Sequence, residues 1–322
     1  MNLRKSAVLV LLGLALCGGV VGYAAESEKR ETDSDLVLTE NAGSEWAAPK
    51  PSLESNEITV FGSVGQGSII DRLDRLDQAL VGTVQSGTVN TRVQKQAERL
   101  RGGEPGRVSI LTRINAAEWS LDREVSMKPL EERLVDLESR LTGRVSSYSL
   151  ETRSKTVASH VVENPDGILV DIPTGTLVRI EFVDPLTSKT AKVGDVARIR
   201  VAEDVFVEGR LVFPKGAMGQ ASVESVRPAR RLARNGRLAL TFDYVETIDG
   251  QPVHFIQGAK SLDATETYAK AAGVSVAGLV ILGPIGLIGG AFLNGENAVV
   301  KEGSMLYIET DQEYQAITVD LQ

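Results

Sequence analysis

The chain has 322 residues, 42% of them hydrophobic, with 43 acidic against 35 basic side chains and a net charge of −8. That length leaves room for about two domains, and the acidic balance argues against a nucleic-acid binder. One cysteine and two histidines cannot supply a disulfide framework or the usual four ligands of a structural zinc site.

Arg4 and Lys5 precede an apolar run from Ala7 to Val21, and Gly22-Tyr23-Ala24 offers small residues at −3 and −1. The pattern predicts a secretory signal peptide over 1–24, cut ahead of Ala25. Leu16 is bulkier than the residue that lipoprotein cleavage favours before a cysteine, so lipid on Cys17 is not expected. An exported chain without cysteine must hold itself together by packing. Residues 25–58 are acidic and polar, with Ala47-Ala48-Pro49-Lys50-Pro51-Ser52 near their end, and read as a disordered linker.

Residues 59–162 repeat about every twenty. Ile69, Val89, Ile110, Leu130 and Leu150 stand in register, and residues four, seven and eleven later are mostly apolar. Examples are Leu73, Leu76 and Leu80, then Ile114 and Leu121, then Leu134, Leu137 and Leu141. This spacing puts them on one face of a helix. Gln96 and Ser154 interrupt the stripe, and an arginine recurs at the fourth place of each unit: Arg72, Arg92, Arg113, Arg133 and Arg153. Ser68, Thr88, Ser109 and Ser149 are expected N-caps, Pro129 suits a first turn, and Gly82, Gly102 and Gly143 are expected C-caps. Asp71, Asp74 and Asp77 read as a solvated helix face. Helices of about a dozen residues are marginal alone, so the stripes need one another, a second copy or an outside partner, and self-association is the expectation. Such arrays build surfaces more often than active sites.

From residue 163 to 322 the texture changes to short alternating runs: 167–172, 177–182, 196–201, 211–213, 219–226, 237–244, 253–257, 305–309 and 316–321. Turn signals such as Asn235-Gly236 and Asp249-Gly250 separate them. The pattern predicts an all-β barrel or sandwich, and an α+β chain overall. Three pieces look alike: Ile172-Pro-Thr-Gly-Thr176, Phe213-Pro-Lys-Gly-Ala217 and Val300-Lys-Glu-Gly-Ser304. Proline second and glycine fourth suggest a type I turn.

The order of Ile172–Thr176, Leu186–Asp195, Ala202–Val205, Phe213–Gly216, Arg227–Arg237 and Asp249-Gly250 resembles the C-terminal β-barrel of the TrbI-like conjugation proteins, channel subunits of type IV secretion systems. The likeness covers about half the chain and rests on turns, not on chemistry. In that family an apolar insertion in a comparable place forms the outer-membrane part of a pore. The chain departs from the family in its helical repeats and in having no inner-membrane helix after the leader. The repeats are similar to short Gly/Arg-Leu repeats in envelope proteins of bacteria with two membranes.

Two segments stand out as functional candidates. Arg227, Arg230, Arg231, Arg234 and Arg237 fall within eleven residues and make a local positive patch, either a solvated hairpin tip or a contact for phosphate or carboxylate groups. Residues 271–295 carry no charge and include Val276, Leu279, Ile281, Gly283, Pro284, Gly286, Gly290 and Phe292. Gly283-Pro284 suggests a reversal, and Gly286 with Gly290 has the GxxxG spacing of close helix contacts in lipid, so the segment reads either as a hairpin buried against the barrel or in a dimer contact, or as a membrane contact. His160 and His254 lie in different regions and neither follows a nucleophile-elbow sequence, so neither a triad nor a metal site is expected. No cofactor is implied. The expectation is a non-enzymatic, exported structural or tethering protein of the periplasm or outer membrane. A secretion-channel component and a glycan- or ligand-binding module are the alternatives.

Overall fold

Six helices open the described structure, and five of them begin at the residues that the repeat register predicts. The computed structural model describes residues 46–102, 107–162, 166–230, 235–271, 281–282, 288–289 and 296–321. The expected leader, Cys17 and most of the expected linker lie outside them. The helices are α1 (Leu53–Phe61), α2 (Ile69–Val81), α3 (Val89–Arg101), α4 (Ile110–Asp122), α5 (Leu130–Thr142) and α6 (Leu150–Ala158). Helix α1 begins in the stretch read as linker, 25–58, and ends in the repeat region. Its inward face, Leu53, Asn56, Glu57 and Val60, has only two apolar members, so the stripe was not visible there.

Local sequence sets both ends of each helix. Ser52, Ser68, Thr88, Ser109 and Ser149 each accept a hydrogen bond from the third backbone N–H of their helix, whereas Pro129 makes no such cap. Gly82 and Gly143 close their helices in the left-handed conformation, as does Gly62; Gly102 leaves with φ 76° and ψ −163°. Helix α4 has no glycine there, and Arg123 takes φ 55° with its guanidinium over the Trp119 ring.

The stripes meet one another within one chain. Leu73, Leu76, Leu80, Ile114, Leu130, Leu134 and Leu137 are buried in a shared core with residues of all six helices, and Leu141 packs at its edge. Each buried leucine contributes about 2 kcal/mol of apolar burial. Of the ways in which the stripes could be covered, the chain uses the first, one another: six marginal helices close a core where their faces converge. Ile69 and Leu121 are exposed at 54% and 38%. The first position of the register is interior only in α4, α5 and α6, through Ile110, Leu130 and Leu150.

Among the described residues the C-terminal part is all-β apart from one helix. In chain order its main elements are β1 (Ile168–Ile172), β2 (Leu177–Phe182), β3 (Leu186–Thr187), β4 (Val196–Val201), β5 (Val205–Val207), β6 (Arg210–Phe213), β7 (Met218–Arg227), β8 (Arg237–Glu246) and β9 (Pro252–Ile256). Then come α7 (Ala259–Ala271), β10 (Ile281–Leu282), β11 (Ile288–Gly289), β12 (Val299–Val300), β13 (Met305–Thr310) and β14 (Tyr314–Thr318). Strands β13-β2-β4-β7-β8-β9 form a closed antiparallel barrel. Alternation directs Val178, Ile180, Phe182, Ala197, Ile199 and Val201 inward. With Phe213 and Phe255 they fill the interior, so the barrel is a packed core and not a conduit. The first and last strands, β1 and β14, pair with each other outside it.

The three similar turns share one geometry, shifted by a residue from the expected type I. Thr176 N–H bonds Pro173 O, Ala217 N–H bonds Pro214 O, and Ser304 N–H bonds Lys301 O. Glycine therefore sits third in each turn, at φ 74°, 87° and 80°, the sign that a type II turn requires there. Each of these glycines also donates its N–H to a neighbouring strand end: Gly175 to Thr310, Gly216 to Val201 and Gly303 to Phe182.

Candidate functional site

The helices are joined to one another by a recurrent brace that begins with an acid eight residues into the unit. Glu57, Asp77, Glu118 and Glu138 are buried, and each accepts the backbone N–H of the residue eight further on: Gly65, Gln85, Ser126 and Ser146. Each also binds the arginine fifteen residues later, in Arg72, Arg92, Arg133 and Arg153. One carboxylate thus fixes the loop and the start of the next helix together. Asp77 therefore corrects the reading of a solvated face: only 2% exposed, it also accepts from the Gln96 amide at 2.8 Å. Gln96 and Ser154, the breaks in the stripe, are buried and hydrogen-bonded. Burial opposes ionisation of Glu57, but Arg72 and the Gly65 N–H outweigh it and hold its pKa below the usual value. Helix α3 carries Ala97 where the acid would stand, and burial pulls the pKa of the corresponding Arg113 down.

Two turns of the C-terminal part latch this array: the β8–β9 hairpin tip and the β6–β7 connection. The β8–β9 tip, Thr247–Gln251, meets α3 and α4. Asn115 Nδ2 donates to Ile248 O at 2.7 Å, Gln251 Nε2 to Arg101 O at 2.6 Å and Ser109 Oγ to Asp249 O at 3.4 Å. A Cβ on Gly250 would lie 2.5 Å from Leu111 Cδ1, so this approach requires glycine. The Asp249 carboxylate accepts from Thr247 Oγ1 and, at 2.9 Å, from Ile317 N–H, which ties β14 to the same tip. Burial nonetheless pushes its pKa up to about 6.

The second latch is the turn after β6. Val125, in the loop between α4 and α5, donates its N–H to Lys215 O at 2.8 Å and joins the barrel core with Trp119. Lys215 Nζ pairs with Glu124 at 2.8 Å, and Trp119 Nε1 donates to Asp204 at 2.9 Å. A Cβ on Gly216 would come within 2.1 Å of Val125 O.

Two cavities of about 400 and 300 Å³ lie beside the β8–β9 latch and share Glu246 as a wall residue. The larger is lined by Ile58, Leu111, Met127, Pro129 and Met218 with Asn115, Lys128 and Arg133; the smaller by Pro49, Pro51, Gln94, Arg101 and Tyr244. Burial raises the Glu246 pKa against the pull of Arg101 and Arg133, and raises the Tyr244 phenol to about 12. These volumes suit a small molecule or a peptide side chain, and the carboxyl can donate as well as accept a hydrogen bond. Among the described residues no group of three or more His, Cys, Asp or Glu is placed to hold a metal ion. Tertiary packing creates these cavities, and nothing in the sequence pattern marks them.

The arginine patch lies at the far end of the β7–β8 hairpin. Arg227 and Arg237 stand opposite each other in register, Arg230 is exposed, and Arg231 and Arg234 lie outside the described residues. Arg227 Nε is buried without a hydrogen-bond partner. Of the apolar segment only β10 and β11 are described. They pair antiparallel, Ile281 with Gly289 and Leu282 with Ile288; Val276, Leu279, Gly283, Pro284, Gly286, Gly290 and Phe292 lie outside the described residues. No helix among the described residues is long and apolar enough to cross a membrane. His254 is a half-buried strand residue bonded to Asp311 at 2.8 Å, with Trp46 stacked on its ring. His160 is exposed and bonds Thr156 O.

No family model matches the sequence, and a search of curated proteins finds no match. Among solved structures the chain is similar to ComB10 of the Com type IV secretion system of Helicobacter pylori. The two are 12% identical over 47% of this chain and 96% of that one, with a TM-score of 0.26, too low to establish a shared fold.

Proposed function

We propose that this chain is an exported, non-enzymatic protein of the cell envelope, a structural or tethering component that holds an apolar excursion against the outer membrane or cell wall. The observation that carries the reading is the way the charge-free residues 271–295 are mounted. They leave from α7, whose Ser261, Thr265 and Ala269 are buried and which packs on β13. They return at Ala298, whose N–H is held by Ser188 Oγ at 3.0 Å. Two pieces between pair antiparallel, as an out-and-back path requires. A body fixed at both ends of an uncharged loop suits anchoring, because apolar area meeting lipid gains about 25 cal/mol per Å².

The test is carbonate extraction of envelopes from cells producing the full chain or a variant with 273–294 replaced by a Gly-Ser linker. The full chain is expected to stay with the pellet and the variant to be released with an unchanged melting temperature. Release of both would refute the reading. A secretion-channel component is the second reading, favoured by the same antiparallel pairing. Because the barrel interior is filled, any conduit would have to form between copies, and a ring-sized mass in detergent would support it.

A further inference from the structure

The loop that latches the helices to the barrel belongs to a set of four, and the turn that receives it belongs to a set of three. Val64, Val84, Val125 and Val145 each precede the N–H that the buried acid binds, so the four loops are braced alike. Val125 is 5% exposed against the barrel, whereas Val64, Val84 and Val145 are 42%, 49% and 50% exposed. On the receiving side, Gly216 is capped by Val125 O, and Gly175 is covered by Lys260, whose Nζ would lie 2.6 Å from an added Cβ. At Gly303 the equivalent space is open, with the nearest atom 3.9 Å away.

Charge singles out one match. In the engaged pair the residue before the valine, Glu124, binds the second residue of the turn, Lys215. The same positions are Ser63, Thr83 and Arg144 in the exposed loops, and Thr174 and Glu302 in the other turns. Only Arg144 with Glu302 restores an opposite pair, with the signs exchanged. Both are exposed, and neither has an ion-pair partner among the described residues.

We infer that the α5–α6 loop of one copy docks on the Lys301–Ser304 turn of a second copy, repeating between molecules the latch that Val125 makes within one. Val145 N–H donates to Glu302 O, Val145 O covers Gly303, and Arg144 pairs with Glu302. The two patches differ, so the contact is head-to-tail and leaves one copy with its turn free and the other with its loop free, which generates a ring or a filament. This deepens the structural role proposed above and rests on it. Its test in membrane-free solution is separate from whether residues 271–295 meet a membrane.

The experiment measures mass against concentration for the purified chain, the single variants Arg144→Glu and Glu302→Lys, and their equimolar mixture. The wild type is expected to associate, and each single variant to associate about tenfold more weakly, because it sets like charges opposite each other. The mixture is expected to regain wild-type strength, since Glu at 144 then meets Lys at 302, and Arg144 still meets Glu302. Gly303→Ala is expected to block association while remaining folded. Unchanged melting temperatures of the charge variants exclude loss of fold as the cause. A wild type monomeric at 100-fold above micromolar concentration (about 0.1 mM) would overturn the inference, as would single variants that associate normally or a mixture that stays as weak as its components.

Discussion

Removing the carboxylate of Asp77 isolates the brace that joins α2, its loop and α3. Asp77→Ala leaves the Gln85 N–H, held at 3.0 Å, and the Gln96 amide, held at 2.8 Å, without that acceptor. It also takes the buried partner from Arg92, itself 5% exposed, which keeps only the more exposed Asp74 at 2.7 Å. Breaking a buried ion pair from one side costs about 3–5 kcal/mol, mostly because the remaining charge stays desolvated. For a body of this size that is a fall of about 10 °C in melting temperature. The control is Asp122→Ala, which breaks a pair with Arg140 at 2.8 Å whose partners are 44% and 41% exposed. An exposed pair of that kind contributes about 1 kcal/mol or less. Urea denaturation followed by helical circular dichroism reads both. Adding Arg92→Met to Asp77→Ala is expected to recover about 2 kcal/mol, since no charge is then stranded. Equal, small effects at Asp77 and Asp122 would refute the brace as a stabilising unit, as would a double variant no better than the single.

Asp249 gives the chain a pH dependence opposite to that of most carboxylates. Its folded pKa of about 6 lies above the ordinary 3.8 of an aspartate, so the folded state holds the proton more tightly between them. Stability is expected to fall as pH rises from about 4 to above 6, by about 3 kcal/mol in all, and Asp249→Asn to flatten that slope in melts across the range. Gly216→Ala and Gly303→Ala place the same methyl at nearly the same φ, 87° and 80°, but only the first meets a backbone oxygen at 2.1 Å. Both pay about 1–2 kcal/mol for the left-handed backbone. Gly216→Ala is expected to cost at least about 2 kcal/mol more, by forcing the latch open. Comparable melting temperatures for the two would count against that latch.

The helix starts were legible because caps and period agree: Ser68, Thr88, Ser109 and Ser149 precede apolar residues at helical spacing. The barrel strands were legible from alternation, as in Leu177–Phe182. The braces were not. Charged residues on a helix usually face water, and Asp77 stands beside Asp71 and Asp74 as in a solvated face; only the fold brings Arg92 onto it. The recurrent arginine was the available clue, and the acid fifteen residues before it was its missing half. Helix α7 escaped for a related reason: its inward face presents Ser261, Thr265 and Ala269, with no apolar stripe to count. The cavities around Glu246 depend on which hairpin tips meet which helices, and local periodicity carries no trace of that.

The pairing of β1 with β14 has a consequence for biogenesis. Ile168 lies beside Thr318 and Ile172 beside Tyr314, so the strand made first in this region waits for one made about 150 residues later. Asp249 accepts from Ile317 N–H as well, so the β8–β9 tip gains that tie only once β14 has been made. A nascent polypeptide missing those final residues leaves the edge of β1 and the Asp249 carboxylate without these partners, while the helical core and the six barrel strands can already close.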